Sequence, residues 1–290
     1  MAGTRPRRRN WARRLIGVAV LLLALALVAA IGVWVVLRDR GLAPPTPMEP
    51  RCVAKVPDQT TVLSIDQAWW TSIIVGTSVR RGLPPRAASI AMATVYQETG
   101  IRNLDYGDRD SVGLFQQRPS QGWGSVEKIM DPYYSTGKFY DALVKVDGWQ
   151  SGDINDVAQE VQRSGFPEAY RDHEADGRAL ASTLAGWTPS GFSCTYPLSD
   201  GDPGGARKYL KKTLGVNATS QQGPQLAYSA DSTEQAWAIA HTIVAAGSRY
   251  GTVSVQVGDR AWTLAEKSLA NWTAADAPLA RTKVAITFGQ

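Results

Sequence analysis

A run of 23 residues without a charge or a proline lies near the start of the chain, from Leu15 to Leu37. As an α-helix with a rise of 1.5 Å per residue, this run is about 35 Å long, and the apolar core of a bilayer is roughly 30 Å thick. The run has no polar face that could lie against water. It therefore predicts a transmembrane helix over residues 15–37.

The charges on the two sides of this run differ. Six arginines and no acidic residue occupy residues 1–14, whereas Arg38, Asp39 and Arg40 nearly cancel behind the run. Basic residues stay on the cytoplasmic side of a membrane. We therefore expect residues 1–14 to form a basic cytoplasmic tail and the chain from Ala43 onward to lie outside the cytoplasm.

A cleaved signal peptide is the alternative to a retained anchor. Val28 and Ala30 satisfy the small-residue pattern for cleavage after Ala30. The apolar part of a signal peptide usually has about 7 to 15 residues, however, and this run continues through Val36. The length favours a single-pass anchor in the cell membrane, and either outcome exports the remainder of the chain.

The net charge of +5 does not indicate a nucleic-acid-binding protein once the basic residues are located. Without residues 1–14, the chain has 25 basic and 26 acidic residues, a net charge of −1. A nucleic-acid-binding protein concentrates its basic residues on the folded part. The exported part has no such excess, so no nucleic-acid partner is expected.

Cys52 and Cys194 are the only cysteines and lie 142 residues apart. Since an exported protein meets oxidising conditions, we expect a disulfide that encloses one complete domain, with two unrelated buried thiols as the alternative. The only histidines, His173 and His241, lack the spacing to partners that is typical of catalytic or metal sites. No metal and no cofactor are therefore predicted.

Changes in composition divide the exported chain. Residues 38–59 are rich in proline and predict a stiff, extended stalk. Residues 60–194 have helical periodicity, residues 195–227 are polar and predict a linker, and residues 228–290 combine one helix with alternating strands. The predicted fold class is mainly α: a transmembrane helix, an α-helical domain and a small C-terminal α+β module.

Capping residues and turn pairs set the predicted element boundaries. Ser64 and Gln67 form a capping-box pattern that opens one helix. Gly100 closes the next helix, and Gly258-Asp259 is a hairpin turn pair between two strands. The other predicted elements are helices at 131–146, 153–164, 167–184 and 232–248, and strands at 252–257, 261–264 and 283–288.

Glu98 is notable because its position disfavours a charged carboxylate. It ends the helix predicted over residues 86–98, which is apolar on almost every side, and Thr94, Ala91 and Ile90 share its face. Desolvation and the negative end of the helix macrodipole both raise the pKa of such a group. General-acid cleavage of a glycosidic bond requires a carboxylic acid that stays protonated, although a glutamate at a helix end can also be an ordinary surface residue.

Two motifs around Glu98 resemble a known family. Residues 97–100 (QETG) and 111–116 (SVGLFQ) are similar to the glutamate motif and the G-L-x-Q motif of soluble lytic transglycosylases and goose-type lysozymes, with a similar spacing of 18 residues from Glu98 to Gln116. The stretch NLDYGDRDSVGLFQQRPSQGWG resembles the lysozyme-like domain of membrane-anchored actinobacterial and phage wall hydrolases. The resemblance covers residues 83–186, and VQRSG at 161–165 stands where the family has its third motif, Ala-Tyr-Asn.

The resemblance implies a lysozyme-like fold and cleavage between N-acetylmuramic acid and N-acetylglucosamine in peptidoglycan, with Glu98 as the catalytic acid. It further implies that Gln116 positions an N-acetyl group or a ring hydroxyl. Gln162 or Tyr170 would then take over the substrate contact of the third motif. The predicted substrate-binding residues are Gln116, Ser111, Gln117, Gln162, Tyr170, Trp123 and Tyr106.

Several residues of the loop at 103–123 have two open roles each. Asp110, the best candidate among Asp105, Asp108 and Asp110, can serve as the base that activates water in an inverting hydrolase. It can equally cap a turn, which is the usual role of aspartate in a Gly-rich loop and the favoured one here. Trp123 and Tyr106 can stack on sugar faces or only pack.

The leading interpretation is an exported, membrane-tethered enzyme that cleaves peptidoglycan, by hydrolysis or by attack of the muramic 6-hydroxyl to give an anhydro sugar. One convincing acid without a convincing base favours the second route, a lytic transglycosylase, over an inverting muramidase that uses Asp110. A scaffold that binds wall glycan without cutting it is the alternative from another class. The expected partners are glycan strands, the membrane through residues 15–37, and an envelope protein at the C-terminal module.

The arginines before Leu15 and the uncharged run predict the topology of the chain. A reporter enzyme fused after Gln290 should be active outside the cytoplasm and should stay with the membrane fraction after a high-salt wash. Recovery of a soluble exported chain that begins at Ile31 would show instead that the run is a cleaved signal peptide.

Overall fold

The computed structural model describes residues 9–39, 49–166, 168–265 and 267–290. The chain forms two units, Met1–Pro47 and Met48–Gln290. In the first unit, helix α1 covers Arg9–Asp39. Its stretch Leu15–Val36 is long and apolar enough to cross a membrane.

Two of the predicted N-terminal segments fall partly outside the described residues. These are the first eight residues of the basic tail and residues 40–48 of the predicted stalk. The end of the stalk is described, and the prediction of an extended spacer is wrong there. Residues 51–56 form a strand that is paired on both sides, so this part of the chain belongs to the compact unit.

The second unit combines helices with two antiparallel sheets. Over both units together, about 48% of the residues are helical and 17% lie in strands, in agreement with a mainly α chain that has a C-terminal β region. The helices are α2 (Ile65–Arg80), α3 (Pro85–Thr99), α4 (Val126–Met130), α5 (Pro132–Leu143), α6 (Ile154–Gln162), α7 (Glu174–Leu184), α8 (Pro203–Leu214), α9 (Thr233–Ala245) and α10 (Gly247–Tyr250). The strands are β1 (Arg51–Val56), β2 (Gln59–Leu63), β3 (Phe192–Thr195), β4 (Ser220–Gln222), β5 (Gln225–Ser229), β6 (Thr252–Val257), β7 (Arg260–Thr263), β8 (Trp272–Ala274) and β9 (Lys283–Phe288).

Helix α3 is the central helix of the α-helical part. Proline at its start needs no N–H partner, and Gly100 ends it in the left-handed conformation, with φ of 59°. Helix α7 crosses α3 so closely that a Cβ atom on Gly177 would lie 2.7 Å from the carbonyl oxygen of Ser89 and 3.0 Å from the amide nitrogen of Ala93. Small residues on both helices therefore allow α3 and α7 to pack closely along the middle of α3.

The first sheet ties the beginning of the unit to the end of the helical part. Its strand order is β2-β1-β3, and Cys52 on β1 lies directly opposite Cys194 on β3. The two cysteines form the predicted disulfide. The bond is a cross-strand link within a sheet, and it closes the covalent loop of the helical part.

The second sheet has six strands in the order β4-β5-β9-β6-β7-β8. Gly258-Asp259 forms the turn of the β6–β7 hairpin, as the sequence predicts, with Val257 paired to Arg260. Helix α9 packs against β6 and β9 of this sheet and also against α2, α7 and β3. One helix therefore packs against both the helical part and the second sheet.

The core of the second unit is continuous between the helical part and the C-terminal sheet. Residues 195–227, predicted as a linker, contain α8 and the strands β4 and β5. The buried hydroxyl groups of Tyr209 on α8 and Ser72 on α2 lie 2.6 Å apart and share a hydrogen bond. The glycines of this segment led to the prediction of a linker. The helix signals are nevertheless present, because Asp202 caps α8 and Pro203 begins it.

The disulfide should stabilise the second unit strongly. Closing a covalent loop of 142 residues restricts the unfolded chain and is worth about 3 to 5 kcal/mol. A reductant should therefore lower the thermal midpoint of the wild-type chain, measured by circular dichroism. The Cys52→Ala/Cys194→Ala chain should start from the lower midpoint and should not respond to the reductant; an equal response of both chains would contradict the prediction.

Candidate active site

Glu98 lies in the last turn of α3 and is half-buried. The loop that follows the helix is tied back to this turn, since Thr99 Oγ1 donates a hydrogen bond of 3.0 Å to the carbonyl oxygen of Leu114. Thr99 also accepts a hydrogen bond of 3.2 Å from the amide of Arg102. The backbone on both sides of Glu98 is therefore fixed.

Two side chains donate hydrogen bonds to the Glu98 carboxylate. The Tyr170 hydroxyl lies 2.7 Å from Oε1, and Gln162 Nε2 lies 3.2 Å from the same oxygen. Gln162 Nε2 is also 2.7 Å from the carbonyl oxygen of Phe115. The sequence predicts that Gln162 or Tyr170 contacts substrate; the structure places both on Glu98.

Burial controls the protonation of this cluster. Desolvation raises the pKa of Glu98 above its ordinary value, and the hydrogen bonds from Tyr170 and Gln162 oppose that rise. Burial and the neighbouring Glu98 charge raise the pKa of Tyr170 far above its ordinary value. Tyr170 therefore keeps its proton and acts as a permanent donor to Glu98.

The chain around α6 positions Gln162 and Tyr170. Gln162 is the last residue of α6, and Arg163 ends the helix in the left-handed conformation, with φ of 52°. The amide of Arg171 donates a 3.1 Å hydrogen bond to Asn155 Oδ1 of α6. The Arg171 guanidinium lies 3.1 Å from Asp153 Oδ2. These contacts hold the backbone beside Tyr170 against the start of α6.

A groove with a volume of about 590 Å³ lies beside this cluster, and Gln162 is part of its wall. Its lining mixes apolar and charged groups. Trp123 supplies an indole ring, and Lys145 and Arg163 supply positive charge. The groove is large enough for a ligand of several rings, and Gln162 links its wall to Glu98. The full lining is Gln121, Trp123, Ala142, Lys145, Val146, Glu160, Val161, Gln162 and Arg163.

Gln116 is built into the loop that follows α3. Its backbone is left-handed, with φ of 47°. Its Nε2 donates hydrogen bonds of 3.3 Å to the carbonyl oxygens of Tyr106 and Gly113. A Cβ atom on Gly107 would overlap Gln116 Oε1, so Gly107 makes room for this amide. Gln116 therefore orders its own loop in this structure.

Asp110 is a loop-fixing residue in this structure. Its carboxylate accepts a hydrogen bond of 2.8 Å from Arg118 Nε and two from Ser120, of 2.7 Å from the amide and 3.0 Å from the hydroxyl. These donors, Arg118 first, hold the pKa of Asp110 well below its ordinary value. A carboxylate with a low pKa is a weak base. The contacts match the favoured capping role.

The remaining predicted substrate-binding residues lie in different environments. Gln117 is 1% exposed and donates a 3.1 Å hydrogen bond to the carbonyl oxygen of Ser135, and Ser111 is also buried. Both residues lie in the interior in this structure, and their contact with substrate stays a prediction. Trp123 packs partly on the core and lines the groove, whereas Tyr106 is 65% exposed.

Sequence reasoning missed two aromatic neighbours of this region. His173 Nε2 lies 3.1 Å from Gln97 Oε1, and its ring stacks on Tyr96 at 4.8 Å between centroids. Phe166, in the segment between α6 and Tyr170, is 76% exposed. Neither residue has a local sequence signal, because the His173 contact joins positions 76 residues apart.

The described residues contain no group of three or more His, Cys, Asp or Glu side chains arranged to hold a metal ion. Comparisons with known proteins give no family: no family model and no curated protein matches this chain. The geometry around Glu98 is therefore the basis for any functional assignment.

The raised pKa of Glu98 makes a prediction about stability. Folding raises this pKa above the ordinary value of 4.5, so the ionised carboxylate destabilises the folded chain at a pH above the folded pKa. The destabilisation fades as the pH falls through the folded pKa and is absent below about 4.5. Glu98→Gln should therefore raise the thermal midpoint at pH 8 and lose this advantage at pH 4.

Glu160→Gln, a change at an exposed glutamate of α6, is the matched control for thermal denaturation at both pH values. The difference in thermal midpoint between Glu98→Gln and the wild-type chain should change from pH 4 to pH 8. A constant difference would show that the Glu98 carboxyl has no raised pKa.

Proposed function

We propose that the chain is a membrane-anchored, extracytoplasmic enzyme that cleaves peptidoglycan between N-acetylmuramic acid and N-acetylglucosamine, as a lytic transglycosylase. The observation that carries the proposal is the half-buried Glu98, with a raised pKa and two hydrogen-bond donors, beside a groove that could hold a glycan. The resemblance of the motifs around Glu98 and Gln116 supports the substrate class. In this proposal the helical part adopts a lysozyme-like fold and α1 is the anchor, with its N-terminus in the cytoplasm.

In the first step, protonated Glu98 donates its proton to the glycosidic oxygen. The bond from C1 of the muramic residue to that oxygen breaks, and positive charge develops at C1. Burial supports this role because it raises the pKa of the carboxyl group and so favours the protonated form that a general acid needs.

The second step returns the proton. The 6-hydroxyl of the same muramic residue attacks C1, forms the internal ether and passes its proton to the Glu98 carboxylate. No water is consumed, and Glu98 ends in its starting state. One carboxyl group serves as acid and then as base, so the route needs no second carboxylate.

The hydrogen bonds at Glu98 give its two carboxylate oxygens different roles. Within the described residues, the contacts from Tyr170 and Gln162 are both to Oε1. Oε2 is then the oxygen that carries the transferred proton toward the substrate. Tyr170 and Gln162 act as positioning residues that also stabilise the carboxylate formed after the first transfer.

The environment of Asp110 supports the anhydro route over an inverting muramidase. An inverting enzyme needs a base that takes a proton from water. The Arg118 and Ser120 contacts occupy both Asp110 oxygens and lower the pKa of the group. Such a carboxylate accepts a proton poorly near neutral pH.

Variants of the two carboxyl groups test the mechanism. Glu98→Gln should reduce the release of muropeptides from purified sacculi by about 10² to 10⁴ or more, because an amide cannot donate the proton. Asp110→Asn should keep most of the turnover and lose some stability, because it weakens the contacts to Arg118 and Ser120. Mass spectrometry should find products that end in 1,6-anhydro sugars. Glu49→Gln, at an exposed glutamate outside the groove lining, should match the wild-type chain.

Other outcomes separate the alternatives. Products with free reducing ends, together with an inactive Asp110→Asn chain, would identify an inverting muramidase. A wild-type chain that binds sacculi without releasing products would identify a glycan-binding scaffold. Full activity of Glu98→Gln would reject both catalytic routes.

A further inference from the structure

A second groove, distinct from the residues around Glu98, opens beside the turn between β6 and β7. It has a volume of about 500 Å³, within the range of small-molecule sites. Its lining combines two indole rings, two guanidinium groups and one carboxylate. These groups belong to Trp237, Trp272, Arg260, Arg281 and Asp259.

Trp272 forms the apolar side of this groove, and the buried Trp237 supports it. Trp272 Nε1 donates a 2.8 Å hydrogen bond to the carbonyl oxygen of Phe192, so its N–H is already used. The Trp237 ring packs edge-on against Trp272, with 4.8 Å between centroids. A half-buried indole held in this way offers its hydrocarbon surface, which favours a ligand with a flat or ring-shaped apolar face.

Arg281 is held in place by the turn. A Cβ atom on Gly258 would lie 3.3 Å from Arg281 Cα and 3.9 Å from its Cγ, so the bare, left-handed glycine makes room for the arginine. The loop that carries Arg281 is tied to the same turn. Leu279 N donates a 2.8 Å hydrogen bond to the carbonyl oxygen of Gly258, and Ala275 N donates one of 2.9 Å to that of Asp259.

The charges of the groove favour an anion. Within the described part of the chain, Arg260 and Arg281 are in no salt bridge. Against the single carboxylate of Asp259, the lining has a net charge of +1. Thr233, the first residue of the 13-residue helix α9, also lines the groove and brings the positive end of the helix macrodipole close.

The strands beneath the groove argue against a peptide strand as the ligand. Val257 and Arg260 lie on β6 and β7, and each of these strands is paired on both edges. Their backbone groups cannot extend the sheet by a further strand. Ligand recognition in the groove therefore depends on the indole rings and the guanidinium groups. A guanidinium group binds two oxygens of a carboxylate or phosphate with two parallel hydrogen bonds.

We propose that this groove binds an anionic sugar or polyol unit, with its ring or carbon chain on the indole surface and its carboxylate or phosphate on Arg260 and Arg281. A carboxylate-bearing amino sugar and a polyol phosphate are two sources of this chemistry. The site is independent of the cleavage at Glu98. It gives the chain a second contact to an anionic envelope polymer.

Fluorine NMR of the full chain in detergent micelles, labelled with 5-fluorotryptophan, tests the proposal. The probes are N-acetylmuramic acid, glycerol 3-phosphate and the neutral N-acetylglucosamine. At least one anionic probe should shift the Trp272 resonance, which is assigned from the Trp272→Phe spectrum. The dissociation constant of N-acetylglucosamine should be at least about tenfold higher than that of the anionic probe. The Trp123 resonance reports separately on the groove beside Glu98.

Arginine variants locate the anion contact. Arg260→Gln and Arg281→Gln should each weaken binding by about tenfold, whereas Arg207→Gln on the exposed side of α8 should not. Arg260→Gln keeps the test valid if Arg281→Gln disturbs the loop. Equal binding of the neutral sugar, unchanged affinity in both variants, or no shift at Trp272 with either anion would overturn the proposal. Loss of cleavage at Glu98 would not affect these readouts.

Discussion

The transfer of one carboxyl group out of water is the constraint on which the candidate site depends. Glu98 is desolvated at the end of α3, and the hydrogen bonds from Tyr170 and Gln162 offset only part of the cost of burying its charge. Those donors come from residues 64 and 72 positions further along the chain. The fold of the segment from α4 to α7 therefore serves to bring two donors to one oxygen.

The packing of α3 makes this geometry reproducible. Gly177 allows α7 to approach the backbone of α3 at Ser89 and Ala93, so the helix has little freedom to rotate or slide. Helix α9 and the core that it shares with the C-terminal sheet cover the other side of the helical part. The helical domain and the C-terminal module, predicted as separate, thus share one core. A substitution that disturbs the packing of the sheet can therefore also disturb the packing of the helices.

Local signals in the sequence predict much of this structure, and non-local ones do not. The capping box at Ser64, the closing Gly100 and the Gly258-Asp259 turn depend on neighbouring residues, and the structure has all three. The cysteine count predicts the Cys52–Cys194 disulfide, but no periodicity in the sequence predicts that β1 and β3, 142 residues apart at these cysteines, pair in one sheet. Within the site, the raised pKa of Glu98 follows from its helix, whereas the contacts of Tyr170 and Gln162 follow only from the fold.

The position of the disulfide also has a mechanical consequence. Any tension that travels along the chain from α1 enters the compact unit at Arg51, one residue before Cys52. Without a covalent link, a pull on an end strand can break its hydrogen bonds to the neighbouring strand one after another. The sulfur bridge instead transfers the load at once to β3, the strand that follows the helical part. A pull on this end of the chain would therefore load β3 and the elements packed on it before it could peel away the first strand.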